Sequence, residues 1–460
     1  MFTQGLSQFI RKTNYSDLPE GVVKAAKLAI LDFIGVGMAG SQEPSGKIIC
    51  EMVKENRSIP EATVIGGRYK ASCSLAALAN GTSGHVLDYD DCLDFPNVGL
   101  GHPTTGILPA ALAVSEKLHT AGRDLITAYC LGIEAYAKTG LLIKESFQAN
   151  KGWEWTGVLG IMGATAAVSK LLKLDEYQTM MGFGIATSLS SGLIRNFGTM
   201  AGHLHAGNAA RNAVESGFLA RRGFTACDGI IEVPSGFYNT YTGNSNPVPQ
   251  EAIQENLQAL GNPWNIIEPG LMFKAFPCAH ISHFGVDAAL QLRQKHSIDW
   301  RQIAEIEFRI PPIIQRAISY REPRTGVEGK FSPGYCLCRA LVNGRIKISD
   351  FTDNNVKDPT TKQLMSKIKW VVMEQKPLVG PFGFQEVILK LNDGNIYSCR
   401  VDHPRGEPQN PLTNEEFETK YRDCALHAHY DEETASQIKK LIMNLENIED
   451  VSQLTSLISK

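Results

Sequence analysis

The chain has 460 residues, with 45 Lys+Arg against 48 Asp+Glu, 42 Gly, 10 Cys and 43% hydrophobic residues. This composition excludes disorder and fibrous repeats, and at ~100–200 residues per domain it leaves room for two domains or more, each with its own core. A net charge of -3 gives no bulk attraction to nucleic acid or to an anionic membrane, so neither is expected as a partner.

From the start of the chain, Arg11 and Lys12 follow the first apolar residues with no long apolar core. No later stretch reaches the ~20 uninterrupted apolar residues of a membrane span, so a cytoplasmic protein is expected. The cysteines are scattered, with no CxxC pair. Reduced thiols are therefore expected rather than a zinc ribbon, a redox pair or a disulfide framework.

The first helix follows Ser16-Asp17-Leu18-Pro19, where Val22, Ala26, Ala29, Phe33 and Val36 recur at helical spacing. Further helices are expected in CSLAALANGTSGHVL, TGILPAALAVSEKLH, DLITAYCLGIEAYAKTGLLI, GVLGIMGATAAVSKLL, YQTMMGFGIATSLSSGLI and AGNAARNAVESGFLARR. Their surfaces are dominated by Ala and Gly, which lets helix axes approach closely and bury helices on most sides. After about Phe273 the pattern changes to α+β: IAEIEFRIPP reads as a strand, and VILKL and NIYSCRV form a hairpin across Asn392-Asp393-Gly394. EEFETKYRDCA and EETASQIKKLIMNLENI return to helix. The expected fold class is mainly α: a large all-helical domain formed by 1–269 and 405–460, with a smaller α+β lid inserted at 270–404.

No GxGxxG after a strand, Walker loop, GxSxG elbow or HExxH is present, which removes most nucleotide and zinc-peptidase readings. The Gly157, Gly160 and Gly163 series is better explained by helix packing than by phosphate binding. Between two Ala-rich helices lies a polar stretch: His85, then Asp88-Tyr89-Asp90-Asp91-Cys92, then His102-Pro103-Thr104-Thr105-Gly106. Three acids this close require solvent, a cation or a pocket. A capped loop, a His102 acid/base oriented by an Asp, and a magnesium-type carboxylate site all remain open. His203-Leu204-His205 opens a helix and could receive an anion. Lys274, His280 and His283 lie at the proposed domain junction. Together these segments describe a cationic pocket suited to a small di- or tricarboxylate.

LDYDD followed by GHPTTG, then GWEWTGVLG, HLHAGNAARNAVESGFLARRGFT, FKAFPCAHISH with GVDAAL, and GKFSPGYCLCRAL resemble, in order and spacing, the MmgE/PrpD family across nearly the whole chain. The resemblance implies a helical domain, an α+β lid with a cleft between them, a homodimer, and chemistry without an organic cofactor; no metal is expected either, because His102 and Lys274 can supply proton transfer and charge stabilisation. Asp88, His102, Lys274 and Tyr335 match the family's active-site positions, and Cys92 stands where Thr is common. Glu154, Gly202 and Ala279 replace a His, a Lys and a His of the decarboxylase subgroup, with His203 and His280 following the last two.

The implied site is therefore catalytic Asp88, His102, Lys274 and Tyr335, with Cys92, Glu154, His203, His205 and His280 contacting substrate. His102 is expected to be held by Asp88, and Lys274 to neutralise a substrate carboxylate. Loss of cations and the added charge of Glu154 disfavour decarboxylation. The expected activity is that of a dehydratase-type lyase on a hydroxy-polycarboxylate. An epimerase of an amino- or imino-dicarboxylate is the alternative, ahead of a cis-aconitate decarboxylase and of a non-catalytic polycarboxylate-binding protein.

Overall fold

The computed structural model describes residues 1–144, 152–318, 320–374 and 382–459. The first half is helical: α1 (Phe2–Lys12), α2 (Glu20–Ser41), α3 (Pro44–Glu55), α4 (Cys73–His85), α5 (Pro103–Leu118), α6 (Gly122–Leu142), α7 (Trp155–Leu171), α8 (Glu176–Leu189) and α9 (Met200–Arg221). α4, α5 and α7 are buried along almost their whole length. Small residues permit this. A Cβ added to Gly81 in α4 would lie 2.8 Å from the Gly207 Cα in α9, and one added to Gly106 in α5 would lie 3.0 Å from the Gly160 Cα in α7. Backbones this close exclude any larger side chain at the crossing.

α9 starts at Met200, six residues before the expected Ala206, because Thr199 in extended conformation sets the N-terminus. His203 and His205 therefore lie inside the helix rather than at its open end. The ten cysteines are all free thiols, and among the described residues no helix is long and apolar enough to cross a membrane.

Among the described residues two large hydrophobic cores form, beside a small cluster of Val36, Ala39, Leu87, Tyr89 and Cys424. One joins residues of α1–α9 to the C-terminal helices α12 (Asn414–His427) and α13 (Glu432–Met443). The other runs from Cys278 to Val401. It packs α10 (His280–His296) and α11 (Pro333–Asn343) on a four-stranded sheet of order β7-β6-β8-β9. β6 (Ile303–Ile310) and the hairpin strands β8 (Gln385–Leu391) and β9 (Ile396–Val401) lie where the alternating pattern put them, with Gly394 at φ 89° in the turn. β7 (Ile368–Val372) was not expected: it pairs parallel to β6 at the sheet edge, with no buried residue to betray it. Short strands β1 (Ala62–Thr63) and β2 (Lys70–Ala71) pair outside the helices.

A small sheet connects the two halves. β3 (Cys92–Phe95) pairs antiparallel with both β4 (Val98–Gly99) and β5 (Leu271–Met272), with Cys92 opposite Met272. That register carries the chain from Met272 to Lys274 back alongside the acidic segment before Cys92.

The close crossing of α4 and α9 generates a test. A Cβ at Gly207 would run into the Leu78 carbonyl and lie 2.8 Å from the Thr82 nitrogen, both backbone atoms. Gly207→Ala should destabilise the protein by about 1–3 kcal/mol, read as a lower urea midpoint at unchanged slope. A wild-type midpoint would show that the helices have room to part.

Candidate active site

α4 ends at His85, and Asp88 takes a left-handed conformation with φ 49°. Asp tolerates that region better than most residues, and the turn sends Asp88, Asp90 and Asp91 into the interior instead of along a helix. Gly101, at φ 89°, then bends the chain so that His102 becomes the N-cap of α5, with Pro103 as its first residue. All three carboxylates are buried, at 1–3% exposure. Each meets that constraint differently.

Asp88 pairs with Lys274, whose Nζ also donates to the Asp88 carbonyl at 2.9 Å. Burial opposes ionisation of Asp88, but Lys274 and the His102 and His85 imidazoles outweigh it and hold the carboxyl below its usual range. Lys274 is fully buried; burial opposes its charge, but Asp88 raises its pKa, so it stays an ammonium.

Asp90 Oδ2 faces two imidazoles, His85 Nδ1 at 2.8 Å and His102 Nδ1 at 3.3 Å. Against its burial, the two imidazoles hold Asp90 far down the pKa scale as a carboxylate. Among the described residues no cation pairs with Asp91. Burial pushes its pKa up to about 8, so at neutral pH it is a carboxylic acid. It bonds to the Thr104 hydroxyl and accepts from the Thr104 N–H at 3.3 Å, supplying from outside the cap that α5 lacks.

His102 is the junction of this network. Its Nδ1 lies 2.8 Å from the Asp91 carbonyl and Nε2 lies 3.6 Å from Asp88 Oδ1. A carbonyl can only accept, so Nδ1 carries hydrogen and the neutral ring keeps its lone pair on Nε2. Asp90 and the Asp91 carbonyl therefore orient His102, in place of the expected Asp88, which is engaged by Lys274. Cys92 Sγ is 3.7 Å from His102 Nδ1, and burial keeps the thiol protonated.

His85, Asp90 and His102 bring one potential metal ligand each within 4.8 Å of one another. Both Nδ1 atoms face acceptor oxygens, the Asp90 carboxylate and the Asp91 carbonyl, so the Nε2 side of each ring is what remains for a proton or a cation.

The other expected site residues divide. His203 is buried, with Nδ1 2.9 Å from Ser45 Oγ, and its ring lies 6.4 Å from that of His85. Burial and the Lys330 ammonium push its pKa down to about 3, so it is neutral. Glu154 is committed elsewhere: it caps α7, accepting from the Thr156 N–H at 2.9 Å and the Gly157 N–H at 2.8 Å, and lies 3.3 Å from His205 Nδ1. Tyr335 is fully buried in the second hydrophobic core, where its hydroxyl donates to the Asp350 carbonyl at 2.5 Å. That bond takes its hydrogen away from the Asp88–His102 cluster. His280 Nε2 is 2.9 Å from Glu407 and Nδ1 is 3.1 Å from Asp94, so both nitrogens are already engaged by carboxylates.

Asp90, His85 and Lys330 belong to the cluster but were not among the residues expected to act. Asp90 had a signal in the acidic run. Lys330 stands in the GKFSPGYCLCRAL segment with Tyr335, but only the fold brings it to the end of α4.

His280 generates a pH test. Burial opposes its charge, but Asp94 and Glu407 raise its pKa from 6.5 to about 9. The folded state therefore binds the proton more tightly, so this stabilisation is complete below about pH 6.5 and lost as pH rises through 9. His280→Gln should flatten the fall in Tm across that window, a contribution on the order of 3 kcal/mol at most. An unchanged slope would show that the imidazole is not charged in the folded protein.

Residues 4–250 match the MmgE/PrpD N-terminal domain and residues 276–447 the MmgE/PrpD C-terminal domain. The chain is 28% identical to the cis-aconitate decarboxylase of Mus musculus, covering 99% of this chain and 93% of the relative. It is 27% identical to that of Aspergillus terreus, covering 96% and 93%. It is 23% identical to a probable 2-methylcitrate dehydratase of Saccharomyces cerevisiae, covering 86% and 81%. With both domain models matched in order along the chain, it belongs to the MmgE/PrpD family.

Proposed function

We propose that the protein is a dehydratase-type lyase that acts on a small hydroxy-tricarboxylate by abstracting a proton next to a carboxylate. The observation that carries this reading is the fixed tautomer of His102. Its Nδ1–H is held by the Asp91 carbonyl and Asp90, and its free Nε2 faces the Asp88–Lys274 pair. A neutral imidazole presented this way is a general base, and the charge it gains falls between two carboxylates. Once protonated, His102 is the acid at hand for the departing hydroxide. Relatives named as 2-methylcitrate dehydratases and cis-aconitate decarboxylases support lyase chemistry on tricarboxylates. They lend none to the epimerase alternative.

Decarboxylation is the second reading, and a specific observation favours it. The Glu154 carboxylate is spent on the α7 N-terminus and His205, so it does not present the free negative charge that counted against a departing carboxylate. The reactions separate by product. Dehydration of 2-methylcitrate gives an alkene that absorbs in the ultraviolet, and decarboxylation of cis-aconitate releases CO₂.

His102→Asn should lower kcat by ~10²–10⁴-fold while calorimetry still detects tricarboxylate binding. A variant that turns over at the wild-type rate would remove His102 from the chemistry, and CO₂ release from cis-aconitate outpacing alkene formation from 2-methylcitrate would replace dehydration by decarboxylation. A homodimer is also part of this proposal. Leu189 at the end of α8, Leu193 in the link that follows, and Met200 and Leu204 in α9 are exposed, apolar area that a second copy would cover. Light scattering should give twice the monomer mass, and a monomer at micromolar concentration would end that part.

A further inference from the structure

A small tricarboxylate brings three negative charges, yet the expected carboxylate-binding cation is not free. Lys274 is consumed by the Asp88 side chain and carbonyl. Gly202 offers no charge, and His280 is occupied by Asp94 and Glu407. The site as first read therefore lacks a cation to receive its substrate.

Lys330 fills that gap. It ends the short helix Gly326–Lys330 of the lid and is 2% exposed. Its Nζ crosses to the helical body and donates to the Val86 carbonyl at 2.9 Å. An ammonium has three donors, and among the described residues no carboxylate comes within 4 Å of this one. A buried lysine without a counter-ion is costly, and burial lowers its pKa although Glu43 and Asp88 oppose this.

His203 lies in the same region: its ring centre is 6.4 Å from that of His85, the residue before the Val86 whose carbonyl accepts from Lys330. Its Nδ1 meets Ser45, and its buried Nε2 has no hydrogen-bond partner. Ser45 can donate into Nδ1, which leaves the hydrogen on Nε2 and turns the ring into a second donor. The next residue of the lid, Phe331, stacks on Phe197 of the helical body with ring centres 5.7 Å apart, so lid and body meet at this point.

We propose that Lys330 and His203 form the subsite that holds one carboxylate of a tricarboxylate substrate, with Lys330 the residue that selects three carboxylates over two. This rests on the tricarboxylate reading above and deepens it. The carboxylate supplies the counter-ion that Lys330 lacks and the acceptor that His203 Nε2 lacks. His85 links this subsite to the reacting centre, its ring lying 6.4 Å from that of His203 and 4.7 Å from that of His102, so the carboxylate is one end of a substrate whose reacting carbon meets His102 Nε2.

The test uses the full-length protein and two probes that cannot eliminate water, propane-1,2,3-tricarboxylate and glutarate, with affinities read by calorimetry. Lys330→Met should weaken the tricarboxylate by about 10- to 100-fold and leave glutarate within a few-fold, while Lys330→Arg keeps most of the preference. His203→Phe should reduce the same preference, and it serves as the second variant should Lys330→Met not fold. If the variants lose thermal stability while the ratio of the two affinities stays at the wild-type value, Lys330 is only a strut between lid and body and the proposal falls. It falls also if the wild-type protein binds the tricarboxylate no better than glutarate. Lys330-dependent binding without turnover of any tricarboxylate would instead remove the lyase reading and leave the subsite standing.

Discussion

The buried pair of Asp88 and Lys274 is the interaction on which the arrangement of the site depends. Asp88 comes from the turn after α4 and Lys274 lies two residues past β5, before the α+β part of the chain. Burying either alone would leave an uncompensated charge, a penalty of roughly 3–5 kcal/mol, so the helical body and the entry to the lid are fixed relative to each other. The β3–β5 register makes the meeting possible, because Cys92 opposite Met272 sets Lys274 beside the acidic run. The pair also takes both groups out of simple roles: Asp88 does not orient His102, and Lys274 has its charge already answered.

Three neighbouring carboxylates in one dry volume cannot all be treated alike. Asp88 takes a lysine, Asp90 takes two imidazoles, and Asp91 keeps its proton and binds Thr104. Ionising Asp91 as well would add a charge next to Asp32 and Asp90, both of which push against it. The outcome is chemically useful. It leaves one imidazole, His102, with a defined tautomer and partial exposure at 15% of its side chain, between groups whose protonation states are settled by burial and pairing.

The departures from the decarboxylase pattern carry less weight in the structure than in the sequence. Glu154 looked like an added negative charge. In the fold it is an N-cap whose oxygens face two backbone N–H groups and His205, and these, with His85, hold it below its usual range against its burial. Gly202 looked like a lost cation, yet Lys330 reaches the same region from the lid. Substitutions that remove a group at one position can be offset from a distant segment, and only side-chain geometry reveals it.

The mainly helical class was legible from local pattern: Ala/Gly-rich segments at helical spacing became α4 to α9, and alternating residues became β6, β8 and β9. The run of acids and His102 also marked the site unaided, because charges between apolar helices need partners wherever the chain puts them. β7 escaped since an edge strand with no buried residue carries no alternation. β3 and β5 escaped because short strands carry too few residues for a period. Tertiary structure alone decided which acid met which base. Asp88 with Lys274 and Val86 with Lys330 are separated by 186 and 244 residues, and residue type without geometry cannot choose among several carboxylates and cations. Burial is likewise a property of the packed molecule, so whether Asp91 holds a proton, or Lys330 lacks a counter-ion, has no trace in the order of the residues.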